Sequence, residues 1–161
     1  MAKMKENVGQ QALYCRRVKN KENNPNNVNY TPLSTKKDII EDNKLTVFRA
    51  CPEYDKRQYF VYQERPTGPA ICRITCKKFP KEKHRYYVSF WDYKRNKYRY
   101  YPLSKVIYLF FVGDIPEGYV VDHINNNSLD NSVNNLQLLT RAENTRKSNK
   151  LKIFEKLLEN A

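Results

Sequence analysis

A chain of 161 residues makes one domain, or a small domain with an arm, and 40 % hydrophobic content with a mean hydropathy of −0.87 allows a modest core under a large polar surface. Thirty Lys and Arg against seventeen Asp and Glu leave a net charge of +13, which points to a polyanionic partner, nucleic acid before ribosome or anionic membrane. The longest apolar run, Val106 to Val112, is too short to span a bilayer, and residues 1–11 lack the apolar centre of a signal peptide. Together with four cysteines read as reduced thiols, this favours a cytoplasmic protein over a membrane or secreted one.

Residues 1–45 read as a flexible basic arm, rich in Asn up to about residue 30 and broken by Pro25, with one short helix expected from Ser34 to Asn43 under a Ser34 or Thr35 cap. Lys3, Lys5, Arg16, Arg17, Lys19 and Lys21 would let the arm follow a phosphate backbone. From Thr46 the hydrophobic period shortens towards two. Thr46 to Phe48, Gln58 to Tyr62 and Ala70 to Cys76 are β-prone runs, parted by turns around Pro52 and Pro66 to Pro69, and predict a small antiparallel sheet. Cys72 and Cys76, with Cys51 and His84, invite a zinc site, but Ala70, Cys72, Ile74 and Cys76 alternate onto one strand face, so buried thiols are the simpler expectation.

Tyr86 to Tyr101 predicts a hairpin, YYVSFW and KYRYY about the turn DYKRN. Between Lys77 and Tyr101 nine Lys or Arg face two acidic residues, so basic and tyrosyl side chains alternating along the strands suit a nucleic-acid backbone. The plainer alternative is a sheet with one aromatic face in the core and one solvated basic face. Leu103, Val106, Ile107, Phe110 and Phe111 fall on one stripe of an amphipathic helix, which Gly113 ends and Pro116 keeps from resuming.

Tyr119 to Lys150 carries the chemistry. Val120-Val121 delivers Asp122 and His123 side by side, an Asn-rich loop follows, and Leu136 to Leu139 makes a second strand. Thr140 and Glu143 form a capping box that starts a helix, with Asn144 in its first turn. A hard cation wants oxygen ligands such as Asp122 and Asn144 offer, and His123 has the imidazole suited to a general base near neutrality. Neighbouring strand residues point to opposite faces, so Asp122 and His123 are expected to share a site only if the strand ends or twists there. Asn125 to Asn127, Asn131 and Asn134 read as turn formers. Leu151, Phe154 and Leu158 form an apolar stripe expected to pack back on the domain or on a second copy.

The pattern D-H-x-N-x-N-x-x-x-N followed by N-N-L-x-x-L-T-x-x-E-N resembles the HNH endonucleases, whose fold is the ββα-metal unit, and is most similar to the phage and group I intron branch with its nicking homing enzymes. The resemblance covers roughly Arg85 to Asn149, including the linker Gly113 to Tyr119. It implies His123 as general base, Asp122 and Asn144 as metal ligands, Asn135 as the residue that braces the loop and orients the base, and Arg141 as a phosphate contact. An Asn rather than a His at the last motif position implies one Mg²⁺ or Mn²⁺ per site instead of Zn²⁺. Where the family often has a His-Arg pair, this chain has Ser104-Lys105. No helix-turn-helix follows Lys150, so specificity is expected from residues 1–100.

The expected fold is α+β: the arm, a DNA-contacting antiparallel β-region over 46–101, and the ββα-metal unit with a C-terminal helix over 102–161. The expected function is nicking of double-stranded DNA, by a monomer or a homodimer, in a bacterial host cell if the gene is phage-borne. Lys94, Arg95, Lys97 and Arg99 of the hairpin and Arg146 and Lys147 of the last helix are the expected nucleic-acid contacts. The alternatives are a DNA-binding protein of this fold without turnover and an RNA- or ribosome-associated basic protein.

Overall fold

The computed structural model describes residues 35–161 apart from 52 and 54, so the arm lies outside the described residues as far as residue 34. From Thr35 the chain is folded. A single π-helical turn, Lys37–Glu41, falls inside the expected helix, and the Thr35 hydroxyl accepts from the Asp38 amide at 3.2 Å while donating to the Asp38 carboxylate at 2.8 Å. Ile39 and Ile40 of this turn are buried, so the stretch from Thr35 to Leu45, counted with the arm in sequence, belongs to the core.

Two three-stranded antiparallel sheets follow. The first holds β1 (Leu45–Arg49), β2 (Tyr59–Arg65) and β3 (Gly68–Ile71) in that order; the second holds β4 (Arg73–Lys77), β5 (Arg85–Asp92) and β6 (Lys97–Pro102). The run from Ala70 to Cys76, expected as one strand, is divided between the sheets at Cys72. Ile71 pairs with Tyr62 and Arg73 with Ser89, so one residue carries the chain across. Cys72 is buried there and its amide donates to Val61 O at 2.7 Å; burial pushes its thiol up to about 11. Cys76 is exposed near the sheet edge, so the expected row of buried thiols shrinks to Cys72 alone.

Polar side chains staple the sheets. Gln63, fully buried on β2, donates through Nε2 to Trp91 O (2.6 Å) and Asn43 O (2.9 Å), while its Oε1 accepts from the Trp91 amide (2.9 Å). Asn43 Oδ1 takes the Tyr93 amide at 3.1 Å. Buried main-chain groups that no strand neighbour can reach are thereby satisfied.

The helix α1 (Leu103–Phe111) sits at the centre, touching β1, β5, β6 and the hairpin that follows. Leu103, Val106, Ile107 and Leu109 are fully buried and Phe110 and Phe111 partly so, because sheets flank the helix on more than one side. Ser104 and Lys105 are also buried, which removes them from any surface phosphate contact. Gly113, at φ +147°, ends the helix in a conformation that disfavours any side chain. The last unit is the antiparallel hairpin β7 (Tyr119–His123) and β8 (Leu136–Thr140), then α2 (Arg141–Glu159). Ile153, Phe154, Leu157 and Leu158 stay at least 60 % exposed, so among the described residues the far end of α2 does not fold back onto the domain.

Candidate active site

The hairpin register sets the site. Asp122 pairs with Gln137 and His123 with Leu136, so side chains alternate between two faces of a two-stranded ribbon. Val121, His123 and Leu136 are buried on the core side; Asp122, Gln137 and Leu139 face α2. The strand does not end before them: Asp122 and His123 both remain in the ladder with β8. Their side chains leave on opposite faces, contrary to the arrangement in which both would surround one ion.

His123 is 7 % exposed, and its Nε2 lies 2.9 Å from Asn131 Oδ1. A carboxamide oxygen only accepts, so Nε2 carries the proton and Nδ1 keeps a lone pair. Burial lowers the His123 pKa below its ordinary 6.5, outweighing the opposing bond from Asn131, and the Arg85 charge lowers it further. The ring is therefore neutral at neutral pH. Asn131, read from sequence as a turn former, is 1 % exposed; its amide donates to Gln58 Oε1 at 3.2 Å.

The loop between the strands is held by its own side chains. Asn127 N donates to Asn125 Oδ1 (2.8 Å), Leu129 N to Asn127 Oδ1 (3.1 Å) and Ser132 N to Asp130 Oδ1 (3.2 Å), a succession of Asx turns. Asn135 closes it: Nδ2 donates to Asp130 O (2.8 Å), Oδ1 accepts from Asn125 N (3.1 Å), and the main-chain oxygen accepts from Ile124 N (2.8 Å). Asn135 thus clamps the loop, its side chain bonded to Asn125 and Asp130. Lys83 and His84 fasten the start of β5 to the same loop, Lys83 Nζ to Asn126 O at 3.3 Å and Ser128 Oγ to His84 O.

On the other face, α2 begins at the expected capping box, Glu143 N donating to Thr140 Oγ1 (3.2 Å) and Thr140 N to Glu143 Oε2 (2.8 Å). This fixes the helix so that half-buried Arg141, Asn144 and Lys147 lie towards the hairpin. Lys147, one turn beyond Asn144, places Nζ 2.5 Å from Asp122 Oδ2, 2.8 Å from His123 O and 3.3 Å from Ile124 O. Gln137 Nε2 adds a bond to Asp122 Oδ2 at 2.9 Å. Among the described residues no group of three His, Cys, Asp or Glu converges on one point. An ion here would rest on the Asp122 carboxylate and the main-chain oxygens of His123 and Ile124. Those are hard donors, and the cradle already accepts a cation, so the set fits Mg²⁺ or Mn²⁺ completed by phosphate oxygens. Beside it opens a depression of about 330 Å³ lined by Gln137, Leu139, Glu143, Arg146, Lys147 and Lys150.

The expected nucleic-acid contacts divide. Arg99 is buried opposite Phe90, its Nη1 3.1 Å from Asp92 Oδ2, and Arg95 holds the same oxygen at 2.9 Å. Lys147 is engaged by Asp122. Lys94, Lys97 and Arg146 are exposed, Lys94 with an ion pair to Asp38 at 3.7 Å. The aromatic outer face was legible only as composition: Tyr98 and Tyr100 stand 55 % and 58 % exposed, with the Arg65 guanidinium 5.6 Å from one ring and Lys77 Nζ 4.0 Å from the other.

Residues 101–146 match the family model described as HNH endonuclease. The chain is 42 % identical over 45 residues to the Bacillus subtilis (strain 168) protein named "SPbeta prophage-derived putative HNH homing endonuclease YosQ". That match takes in 28 % of this chain and 26 % of the relative, so the chain spans about a quarter of the relative's length. No solved structure matches it.

Proposed function

We propose, from the premise that residues 101–146 belong to the HNH endonuclease family, that the chain is a divalent-metal-dependent endonuclease that nicks double-stranded DNA. The observation that carries this reading is the β7–β8–α2 unit itself. Within the matched segment it presents a neutral imidazole on one side of a strand end and an oxygen cradle that accepts a cation on the other. In-line displacement at phosphorus sets the attacking water and the leaving oxygen on opposite sides. A base and a cation position on opposite faces of one strand end therefore suit the reaction, provided that the phosphate lies across that end.

In this reading His123 takes a proton from water at Nδ1, and Asn131 holds the ring in the tautomer that leaves that atom free. Burial keeps His123 unprotonated at neutral pH. Asn135 keeps the loop closed, so the strand end stays in place. Asp122 and Asn144 would hold Mg²⁺ or Mn²⁺, which when bound supplies charge stabilisation at the scissile phosphate. Arg141 and Arg146 are the phosphate contacts nearest this unit, and Lys94, Lys97 and the Tyr98–Tyr100 face extend the contact along the duplex. One cation position per chain favours a nick over a double-strand break.

One observation favours the second reading, a DNA-binding protein without turnover: a single carboxylate faces the cradle, and a lysine already neutralises it. Supercoiled plasmid decides. The wild type is expected to convert it to the open circle with Mg²⁺ and not in EDTA; intact plasmid under every divalent metal, with salt-dependent binding retained, would leave only the binding protein.

A further inference from the structure

The sharpest feature of the α2 face is how completely Lys147 is used. An ammonium has three N–H donors and no acceptor. Here three oxygens receive it: a carboxylate at 2.5 Å and two main-chain carbonyls at 2.8 and 3.3 Å, all from consecutive residues at the end of β7. An all-oxygen cradle has the donor chemistry that a hard cation wants, and here the helix supplies the cation from within as an ammonium. The side chain is 26 % exposed and Asp122 13 %, so the pair is only partly buried and can part without opening the core.

We propose that Lys147 is the resident cation of this site, and that a divalent ion and Lys147 compete for the Asp122 cradle. The inference rests on the reading of Asp122 as a cation ligand and goes beyond it by naming what fills the position in the free protein. The ammonium sits where the Asp122, His123 and Ile124 oxygens converge, so an ion ligated by the same three oxygens takes its place and expels it. The four-carbon stem of Lys147 then swings towards the depression it already lines with Arg146 and Lys150, a cationic setting in which a phosphate is the natural partner. Metal and DNA therefore bind with positive linkage: phosphate draws Lys147 away, and the vacated oxygens take the ion.

Mn²⁺ titration of the full chain, read as loss of the free-ion electron paramagnetic resonance signal, tests this without turnover. Lys147→Met and Lys147→Gln should each bind Mn²⁺ at least ~10-fold more tightly than wild type, the size of a modest coupling between sites. Adding Asp122→Asn should abolish that gain. If both Lys147 variants match wild type while Asp122→Asn still weakens binding, the cation site stands and the competition is refuted. If Mn²⁺ binding ignores Asp122→Asn in the Lys147→Met background, the site reading falls too. On the unaltered protein, the ¹⁵Nζ resonance of Lys147 should be hydrogen-bonded and sharp without metal and should lose that signature at saturating Mg²⁺; its persistence would overturn the proposal even if the variants failed to fold.

Discussion

Two β-hairpins each carry an aspartate bound by basic side chains, and they differ in how firmly. In β5–β6, Asp92 is 1 % exposed and its Oδ2 takes both Arg95 and Arg99, the latter itself buried. In β7–β8, Asp122 is half-buried and takes one lysine and one amide, both from partly exposed side chains. The first cluster fixes the register of a strand in the core. The second leaves a carboxylate that can change partner. A carboxylate exchanges its cation only when its oxygens can be reached, and Asp122 is partly exposed where Asp92 is not.

The contrast can be broken from either end. The largest effect is expected in activity: His123→Ala should lower the plasmid-nicking rate by about a thousandfold, the usual scale for losing a positioned base, with the melt recorded on the same sample to separate folding from chemistry. Asp92→Asn comes next. It leaves Arg99 buried without its carboxylate and should cost about 3 kcal/mol in urea unfolding, whereas Asp122→Asn should change stability by less than about 1 kcal/mol. Burial pushes the Asp92 carboxyl up, but the Arg95 amide and guanidinium, with Arg99, more than reverse this and hold it below the ordinary 3.8. Its contribution is therefore whole above that value and is lost as the pH falls below it, so Asp92→Asn should flatten the acid limb of the stability curve. Gln63→Leu should cost about 2 kcal/mol by stranding the Trp91 amide and carbonyl between the sheets. The smallest change is in binding: Lys97→Ala should leave the fold intact and reduce the salt slope of DNA affinity by about 0.9, one phosphate's worth.

Much of the architecture was legible because the local signals were strong. The capping box at Thr140 and Glu143, the stripe from Leu103 to Phe111 and the β5–β6 hairpin all depend on residues close in sequence, and each lies where periodicity put it. The division at Cys72 was not legible, since a residue that ends one ladder and starts another keeps the alternation of an unbroken strand. Arg99 was misplaced for a related reason. Alternation told Tyr from basic residue but not inside from outside, and the deciding partner, Asp92, lies across the turn. In the site, Asp122, His123 and Asn135 stood out by motif. Asn131 did not, because nothing local separates one buried asparagine from the turn-forming ones around it. Lys147 was read as a phosphate contact since its charge was visible and its partner, twenty-five positions earlier, was not.

The central placement of α1 has a consequence for engineering. Its buried side chains share one cluster with residues from Ile39 to Leu136, so the boundary drawn near residue 101 marks a change of motif and runs through the middle of the packing. A cut there would expose Leu103, Val106, Ile107 and Leu109 on one fragment and their β5 and β6 partners on the other. The β7–β8 hairpin is thus no portable cassette: grafted onto another scaffold from residue 102 onward, it would arrive without the walls that hold its own prop upright.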